Sequence, residues 1–373
     1  MTLLYKVLGI VLIILAVMLL SLGLILNHTS ACGPANVLSS NKNLMKAITH
    51  RCYGSPDVLK LEDIEKPTPA DNEVLVKVHA ASVNPLDWHF MRGTPTLARL
   101  QIGLGKPKDT RVGYDFAGTV EAVGINVKRF QSGDAVFGGT FGAFAEYVSV
   151  PEEGALVLKP TNLTFEQAAS APIAALTALQ ALRDKGQIQP GQRILINGAS
   201  GGVGTFAVQI AKSLGADVTG VCSTRNVEMV RSIGADHVVD YTREDFTRSA
   251  QRYDLILDNV GNRSVLEYGR VLNPKGIIVI VGFESMTGVI KTMVLSPFVS
   301  HKVVSLQANV NRADLNIMRD LMQDGKVTPV IDRSYSLSDV PAAIGYLEKG
   351  HARGKVVITL EDRNLQAPPV AGQ

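Results

Sequence analysis

The residues best suited to chemistry form a glycine-rich run at positions 197–204, which reads NGASGGVG. A short apolar run precedes it and an amphipathic segment follows it, so we expect it to join a strand to a helix. Small residues in such a turn let the backbone approach a pyrophosphate, and the helix N-terminus offers that group unpaired N–H donors. The context predicts a dinucleotide site, with contacts from Ser200, Gly201, Gly202 and Val203.

The end of the next predicted strand indicates which dinucleotide binds. NAD sites usually carry Asp or Glu there to hold the ribose hydroxyls. Here the chain reads Cys222, Ser223, Thr224 and Arg225, without a carboxylate. Ser223 and Thr224 can donate hydrogen bonds, and Arg225 can pair with a 2′-phosphate. The pattern favours NADPH over NADH.

The bulk composition argues against several classes of partner. The 373 residues carry a formal net charge of +3 and one tryptophan, so neither charge nor aromatic content supports nucleic-acid binding. The three cysteines, Cys32, Cys52 and Cys222, have no CxxC spacing. Their odd number makes a disulfide framework unexpected and a four-cysteine zinc site impossible within one chain. Few unpaired thiols also suit a reducing compartment.

Two kinds of periodicity divide most of the chain. Short β-type runs separated by Gly and Pro turns occupy 45–157 and predict a small β-rich, barrel-like domain. From residue 165 onward, helical segments alternate with short apolar strands, which predicts parallel pairing in a doubly wound sheet. A last predicted strand, 355–360, is placed to return to the first domain.

The N-terminal segment 7–26 contains no charged residue and is long enough to cross about 30 Å of hydrocarbon as a helix. A cleaved signal peptide usually has an apolar core of only about 7–15 residues, so we favour an uncleaved single-span anchor in the lipid bilayer. A signal peptide cut after Ala31 and a lipoprotein signal ending at Cys32 are the alternatives. Residues 27–44 are expected to be a linker.

The orientation of this predicted transmembrane helix depends on a small charge difference. Lys6 and the N-terminus lie on one side, and Lys42, Lys46 and Arg51 lie on the other. The positive-inside tendency therefore favours a cytoplasmic enzyme domain on a single-pass membrane protein.

Several further motifs are shared with a known family. They read ASVNPLDW at 81–88, GYDFAG at 113–118, GADHVVDY at 234–241, DNVG at 258–261 and GHARGK at 350–355. On these motifs, spread over 45–360, the chain resembles the medium-chain dehydrogenase/reductase superfamily, in its zinc-free quinone-oxidoreductase-like branch. It is similar to the mitochondrial reticulon-interacting oxidoreductases and their bacterial relatives.

The resemblance implies an α/β protein in which a GroES-like β-rich domain and a Rossmann doubly wound parallel sheet enclose a cleft. The expected domain limits are 1–44 for the anchor and linker, 45–160 for the GroES-like catalytic domain, completed by 332–362, and 161–331 for the NADPH-binding Rossmann domain. The tail 363–373 is expected to be disordered.

The same resemblance argues against a metal. Zinc-dependent relatives carry cysteine at the position of Asn84, and His-Glu at the positions of Tyr114 and Asp115. Neither asparagine nor tyrosine is a usual zinc ligand. Without a Lewis acid a simple alcohol is hard to polarise, whereas quinones and α,β-unsaturated carbonyls accept hydride readily. The resemblance therefore implies a small hydrophobic, electrophilic substrate.

Roles for individual residues also follow from the resemblance. Asn84 is expected near the nicotinamide and the acceptor, donating an amide hydrogen bond. Asp87 and Trp88 are expected to brace the local fold more than to do chemistry, whereas His89 is a candidate proton donor to the reduced product. The other predicted cofactor contacts, from the domain junction, strand ends and closing motif, are Thr177, Tyr241, Asn259, His351, Arg353 and Lys355.

The leading hypothesis is hydride transfer from NADPH to a quinone or an α,β-unsaturated carbonyl. The alternatives are an NADPH-binding, membrane-tethered redox sensor or scaffold with little turnover, a zinc-type alcohol dehydrogenase, and a structural membrane protein that kept the fold. The apolar stretch 288–304 is consistent with a substrate lid, with a membrane-facing patch or with a homodimer contact.

Overall fold

The structure, a computed structural model, describes residues 5, 17–18, 20–34, 43–282, 295–296 and 299–360. Most of the predicted anchor, the predicted tail and half of the apolar stretch 288–304 lie outside these residues. Within the described ranges, no helix is long and apolar enough to cross a membrane. The transmembrane helix therefore stays a prediction.

The first domain is built on a seven-stranded sheet. Its strands, with those of the hairpin beside it, are β1 (Leu44–Thr49), β2 (Lys60–Glu65), β3 (Glu73–Val83), β4 (Asp115–Val123), β5 (Ala135–Gly139), β6 (Tyr147–Pro151) and β7 (Leu156–Leu158). β3, β4, β5 and β7 are neighbours in that order, β6 pairs with β3, and β1 and β2 form a separate antiparallel pair. The β-rich character predicted for this part of the chain is present.

The second domain is a six-stranded parallel sheet. Its strands are β8 (Arg193–Asn197), β9 (Asp217–Cys222), β10 (His237–Asp240), β11 (Tyr253–Asp258), β12 (Leu272–Ile280) and β13 (Lys302–Ser305), in the order β10-β9-β8-β11-β12-β13. The chain runs outward from β8 in both directions, so a crevice opens at the carboxyl ends of β8 and β11, where such folds bind ligands. This arrangement agrees with the expected doubly wound sheet.

The helices follow the pattern of a sheet-based fold. They are α1 (Pro85–Arg92), α2 (Arg99–Ile102), α3 (Phe165–Ala169), α4 (Pro172–Gln180), α5 (Gly202–Ser213), α6 (Val227–Ser232), α7 (Val265–Gly269), α8 (Arg312–Gln323) and α9 (Val340–Glu348). Short 3₁₀ or π turns occupy Pro56–Val58, Thr96–Ala98, Ala181–Lys185, Thr224–Asn226, Phe246–Arg248 and Leu337–Asp339. α4 and α5 are almost wholly buried and join the largest apolar core.

The end of the described chain returns to the first sheet. Its strands are β14 (Ile331–Ser336) and β15 (Lys355–Thr359), which pair in parallel. β15 then pairs antiparallel with β3, with Val356 opposite Val83. Because β15 begins at the carboxyl end of β3, the closing motif lies at the edge of the sheet that faces the glycine turn.

The N-terminal linker contacts the first domain and corrects the expectation drawn from the cysteines. Cys32 and Cys52 form a disulfide, with Cα atoms 4.7 Å apart, and Cys222 remains a buried free thiol. An odd number of cysteines leaves one unpaired but does not prevent one pair. The Ser30 N–H donates to the carbonyl of Gly105, so the chain just before Cys32 lies against the domain that carries Cys52.

Candidate active site

The glycine turn adopts the predicted strand–turn–helix geometry. Gly198 has φ of +79°, and Gly201 caps α5, which begins at Gly202. A Cβ on Gly204 would lie 2.1 Å from the carbonyl oxygen of Gly198, so this position admits only glycine without displacement of the turn. The close approach holds the start of α5 against the end of β8, with the N–H groups of its first turn available to an anion.

Two unpartnered polar atoms test whether these residues fit a dinucleotide. Asn259 follows β11 and donates its amide to the carbonyl of Asn197, and its buried Oδ1 has no partner. Asn226 donates to the hydroxyls of Ser200 and Ser223, and its buried Oδ1 is also unpartnered. Buried polar atoms normally find partners, so these two acceptors indicate a polar ligand along the strand ends. The residues fit the predicted cofactor.

The expected phosphate-binding group at the end of β9 is present but differently arranged. The Thr224 hydroxyl donates to the Asp240 carboxylate at 2.5 Å, because Asp240 lies opposite Cys222 on the neighbouring strand. Tyr241 comes next and is 51% exposed at the edge of the crevice. Sequence reasoning therefore missed the carboxylate of Asp240, which belongs to the neighbouring strand β10. The Thr224 hydroxyl already donates to that carboxylate.

The closing segment reaches the same edge. The Arg225 guanidinium donates to the carbonyl of His351 at 2.9 Å, and the guanidinium of Arg353 contacts the carbonyl of Arg225 at 3.4 Å. All three side chains are exposed. The structure therefore brings three predicted cofactor residues together, and two of them, Arg225 and Arg353, are exposed arginines.

Lys355 connects the turn to the first domain. Its side chain packs over Gly202, where a Cβ would lie 3.1 Å from Lys355 Cδ. Its Nζ donates to Asn84 Oδ1 at 2.5 Å and lies 3.7 Å from Asp115 Oδ2. Lys355 and Asp115 are only 3% and 0% exposed. A buried cation thus lies between the cofactor turn and the predicted catalytic asparagine.

The carboxylates around this lysine are strongly desolvated. Burial raises the pKa of Asp115, and the Lys355 cation opposes that shift. Burial likewise lowers the pKa of Lys355, and the carboxylates Asp115 and Asp87 oppose it. Burial raises the pKa of Asp87 to about 8, although the carboxylate accepts from the N–H of Asn84 at 2.7 Å. The cluster is therefore held by mutual charge compensation.

The Asn84 amide is fully engaged within the protein. Its Nδ2 donates to Asp115 Oδ2 at 2.9 Å and to the carbonyl of Ser82 at 3.3 Å. Its Oδ1 accepts from Lys355. An amide has two hydrogens, so none is left for an acceptor in this arrangement. The predicted donation from Asn84 to the acceptor stays a prediction that requires this network to rearrange.

α1 carries the other predicted catalytic residues. Asp87 accepts from the backbone at Asn84 and forms a capping box, which agrees with its expected bracing function. His89 stacks on Trp88 with ring centroids 3.7 Å apart, and its Nδ1 lies 3.0 Å from the carbonyl of Thr94. Burial lowers the pKa of His89, which keeps the imidazole neutral near pH 7.

Thr177 lies on α4, where its hydroxyl donates to the carbonyl of Ile173 at 2.7 Å. The N–H of Ile173 in turn donates to Asp115 Oδ1 at 3.1 Å. α4 is therefore fixed to the Lys355 cluster, and Thr177 is buried one turn further along the helix. Its placement beside the nicotinamide remains a prediction.

An aromatic surface adjoins the cluster. The rings of Phe90 and Tyr114 each lie edge-on to Phe141, with centroid distances of 5.3 and 5.2 Å. Phe141 is 46% exposed. Tyr114 precedes Asp115 and Phe90 shares α1 with Asp87, so this aromatic surface offers a flat acceptor an apolar wall to pack against.

The donor set at the positions that hold zinc in zinc-dependent relatives does not suit the ion. The Asn84 amide is bonded to Asp115 and Lys355, and Asp115 is paired with that ammonium. In the described part of the chain, no group of three or more His, Cys, Asp or Glu side chains is arranged to hold a metal. The expectation of zinc independence rests on this donor chemistry.

Comparison with known proteins identifies the family. The model of the alcohol dehydrogenase GroES-like domain matches residues 70–161, and that of the zinc-binding dehydrogenases matches 233–358. The 2-methylene-furan-3-one reductase of Solanum lycopersicum is 35% identical over 334 residues, covering 84% of this chain and 79% of that protein. A mitochondrial NAD(P)H oxidoreductase of Mus musculus is 35% identical over 366 residues, covering 86% and 91%.

Further relatives agree. The chloroplastic NADPH-dependent alkenal/one oxidoreductase of Arabidopsis thaliana is 35% identical, covering 84% of this chain and 79% of that protein. The solved quinone oxidoreductase of Coxiella burnetii superposes with a TM-score of 0.75 at 33% identity, covering 86% of this chain and all of that one. These matches confirm the expected family: the chain belongs to the quinone-oxidoreductase-like branch of the medium-chain dehydrogenase/reductase superfamily.

Proposed function

We propose that the chain is a zinc-independent oxidoreductase that transfers hydride from NADPH to a quinone or an α,β-unsaturated carbonyl. The observation that carries this proposal is the position of Lys355, which packs over Gly202 of the cofactor turn and donates to Asn84 of the other domain. Relatives named as alkenal/one and 2-methylene-furan-3-one reductases and as quinone oxidoreductases support the reaction class.

The residues present would hold NADPH along the crevice. The N–H groups of Gly202 and Val203 would donate to the pyrophosphate, with Ser200 and Gly201 in the turn. Arg225, His351 and Arg353 would border the 2′-phosphate, and Tyr241 and Asn259 would contact the cofactor at the strand ends. When bound, NADPH supplies the hydride. An acceptor bound beside Asn84 would lie near the Lys355 ammonium, and such preorganised positive charge would stabilise the negative charge that reduction builds on oxygen.

His89 is the proposed proton donor to the reduced acceptor. Burial lowers its pKa, so only a small fraction of the imidazole carries the proton to be donated near neutral pH, and His89→Gln is expected to reduce kcat by less than about tenfold, a modest share of general acid catalysis. If the variant keeps the same pH dependence of the rate as the wild type, His89 is not the proton donor.

The reaction is tested with the purified full chain in detergent. NADPH absorbance is followed against a panel of quinones, enones, alkenals and simple alcohols, with and without a chelator. Oxidation with quinones or enones, unaffected by the chelator, is the expected result. Loss of activity with the chelator would refute zinc independence.

The alternative of a redox sensor or scaffold is supported by the Asn84 amide, which is fully occupied. NADPH binding without oxidation by any acceptor would establish that alternative.

Cofactor preference depends on Arg225. We expect Arg225→Ala to raise the Kd of NADPH at least about tenfold, since charge-assisted hydrogen bonds to phosphate are the strong ones, and to change the Kd of NADH little. Arg231→Ala, an exposed arginine on α6 that pairs with Glu228, is the matched control. Equal losses for both cofactors in Arg225→Ala would refute the phosphate role.

We further propose that 7–26 form a single-span anchor, because twenty uncharged residues suffice to cross the bilayer. The anchored chain should resist carbonate extraction and keep its N-terminus, whereas cleavage between Ala31 and Cys32 would show a signal peptide. The Cys32–Cys52 disulfide argues against the proposed cytoplasmic orientation, which predicts that both cysteines are reduced thiols in the cell. Burial raises the pKa of Cys222 to about 11, so maleimide labelling reports the other two cysteines.

A homodimer is a further proposal, with the apolar stretch 288–304 as its contact. Residues Leu295 and Val299 within it pack on the apolar core of the second domain. Sedimentation in detergent at several protein concentrations tests it, and a concentration-independent monomer would refute it.

A further inference from the structure

The helix that ends the apolar N-terminal segment is joined rigidly to the first domain. Residues 20–27 are helical. Leu20, Leu24 and Ile25 are more than half exposed, yet Leu26 is only 5% exposed. The helix therefore leaves the surface of the domain within one residue. Such a run of exposed leucines in water is unfavourable unless another apolar phase covers it.

Arg99 bonds the N-terminal helix to the first domain. Its buried guanidinium donates to the carbonyls of Leu26 at 2.9 Å and His28 at 3.1 Å, at the end of the N-terminal helix. The same guanidinium donates to the carbonyls of Gly93 and Arg92, where α1 ends. One arginine thus satisfies the last carbonyls of two helices, a position that favours a cation.

A second contact lies a few residues further along. Thr29 forms a parallel bridge with Gly105, and the Ser30 N–H donates to the Gly105 carbonyl at 2.8 Å. The segment 96–106 therefore contacts residues 29 and 30, just after the end of the apolar helix. Its position relative to that helix is fixed by the Arg99 and Gly105 contacts together.

The outer face of 96–106 is apolar with a cationic border. Leu97, Leu100 and Leu104 are 58%, 55% and 52% exposed. They come from the 3₁₀ turn, from α2 and from the residues just after Gly103, on the same short segment that contains the buried Arg99. Lys106 and Lys108 follow and are exposed. Leucines bordered by lysines are typical of a surface that enters the interface of an anionic bilayer.

We propose that Leu97, Leu100 and Leu104 dock into the headgroup–acyl boundary of the bilayer that 7–26 cross, with Lys106 and Lys108 against anionic headgroups. The docking rests on the proposed anchor. The interfacial layer on each side of the hydrocarbon is only about 6 Å deep, so residues bonded to the end of the span lie within it. α1 and its aromatic neighbours are then held next to the membrane, the source of lipophilic acceptors.

Depth-dependent quenching tests the proposal in the full chain. Leu100→Trp is reconstituted in phosphatidylcholine–phosphatidylglycerol vesicles, with or without bromine on the acyl chains near the headgroup. The matched control is Ile125→Trp, which is 86% exposed just beyond β4, at the end of that strand away from Asp115. The wild-type emission, from its one tryptophan, is subtracted.

Bromination should reduce the added emission of Leu100→Trp by about half or more and leave that of Ile125→Trp unchanged. Flotation of the wild-type vesicles separates the possible failures. A chain that floats without quenching at position 100 keeps the anchor and overturns the docking. A chain that does not float overturns both. A blue shift at position 100 that depends on protein concentration, without quenching, would assign the leucines to a second copy and also overturn the docking.

Discussion

The buried pair of Lys355 and Asp115 allows a quantitative test of how the two domains are held around the site. At an effective dielectric constant of about 20, two unit charges 3.7 Å apart attract by about 4 kcal/mol. Replacing Lys355 by methionine leaves the Asp115 carboxylate buried without its cation. Since breaking a buried pair typically costs about 3–5 kcal/mol, we expect Lys355→Met to lower the free energy of unfolding by about 3 kcal/mol.

A double-mutant cycle isolates the pair. Asp115→Asn leaves the lysine unpaired and should cost a similar amount, whereas Lys355→Met with Asp115→Asn removes both charges. We expect the double variant to be about 3 kcal/mol more stable than the sum of the single losses predicts, within the range seen for contacting residues. Urea unfolding of all four proteins at pH 7.5, followed by circular dichroism, measures this difference.

The exposed pair of Lys46 and Asp63 is the matched control. Its side chains are 50% and 47% exposed, and the same cycle on such a surface pair should give a coupling below about 1 kcal/mol. Additive losses in the Lys355 cycle, to within about 0.5 kcal/mol, would refute charge compensation.

The pH dependence gives a second readout. Without the cation the pKa of Asp115 rises further, so Lys355→Met should gain stability relative to wild type as the pH falls from 8 to 5. A variant whose relative stability is constant over that range would contradict the reasoning.

Three further predictions concern residues outside this pair. Burial lowers the pKa of His50 from 6.5 to about 4, so the free energy of unfolding should fall by up to about 3 kcal/mol as the pH drops from 6.5 to 4. In urea titrations, His50→Gln should reduce this dependence of stability on pH. An unchanged dependence would contradict the assignment to His50. Gly204→Ala should weaken NADPH binding at least about tenfold, as measured by calorimetry. The control is Gly345→Ala in α9, where the new Cβ would lie 3.8 Å from Pro56 Cγ and should leave binding unchanged. Equal effects of the two substitutions would show that the turn tolerates a Cβ. Asn226→Ala frees the hydroxyls of Ser200 and Ser223 and should weaken NADPH without lowering the melting temperature by more than a few degrees, a result that a purely structural asparagine would not give.

The cofactor turn could be predicted from the sequence because its signals are local. Gly198, Gly201 and Gly204 act through their own backbone, and a strand and a helix adjoin them in the chain. The terminal strand was also visible, since 355–360 is a short apolar run. Its return to the first domain was expected from the strand pattern, whereas its partner β3 and the pairing of Val356 with Val83 are observed only in the structure.

The partners of the predicted side chains could not be predicted in the same way. Thr224 bonds to Asp240, a contact created by the pairing of β9 with β10. The Asn84 amide is occupied by Asp115 and Lys355, which come from two other elements. Asn226 carried no sequence signal, since an asparagine at the start of a helix is typical of a simple cap.

The cysteine pairing likewise could not be predicted, because it depends on contacts between distant parts of the chain. Counting them argued against a disulfide framework, whereas the Cys32–Cys52 pair depends on where the linker contacts the domain. That contact is made through Gly105, far away in the chain. Composition constrains how many cysteines can pair, but only the fold determines which ones meet.

The return of β15 to the first sheet also determines when the enzyme becomes complete during its synthesis. Lys355 bonds to Asn84 across 271 positions of the chain, and contacts of such sequence separation form late because a long loop must close first. Lys355 is synthesised after the whole six-stranded sheet and after every strand of the first sheet except β15, which it begins. A nascent chain stalled before residue 350 would carry the whole glycine turn but lack the cation that joins it to the catalytic domain. The bond between Lys355 and Asn84 can therefore form only after β15 has been synthesised.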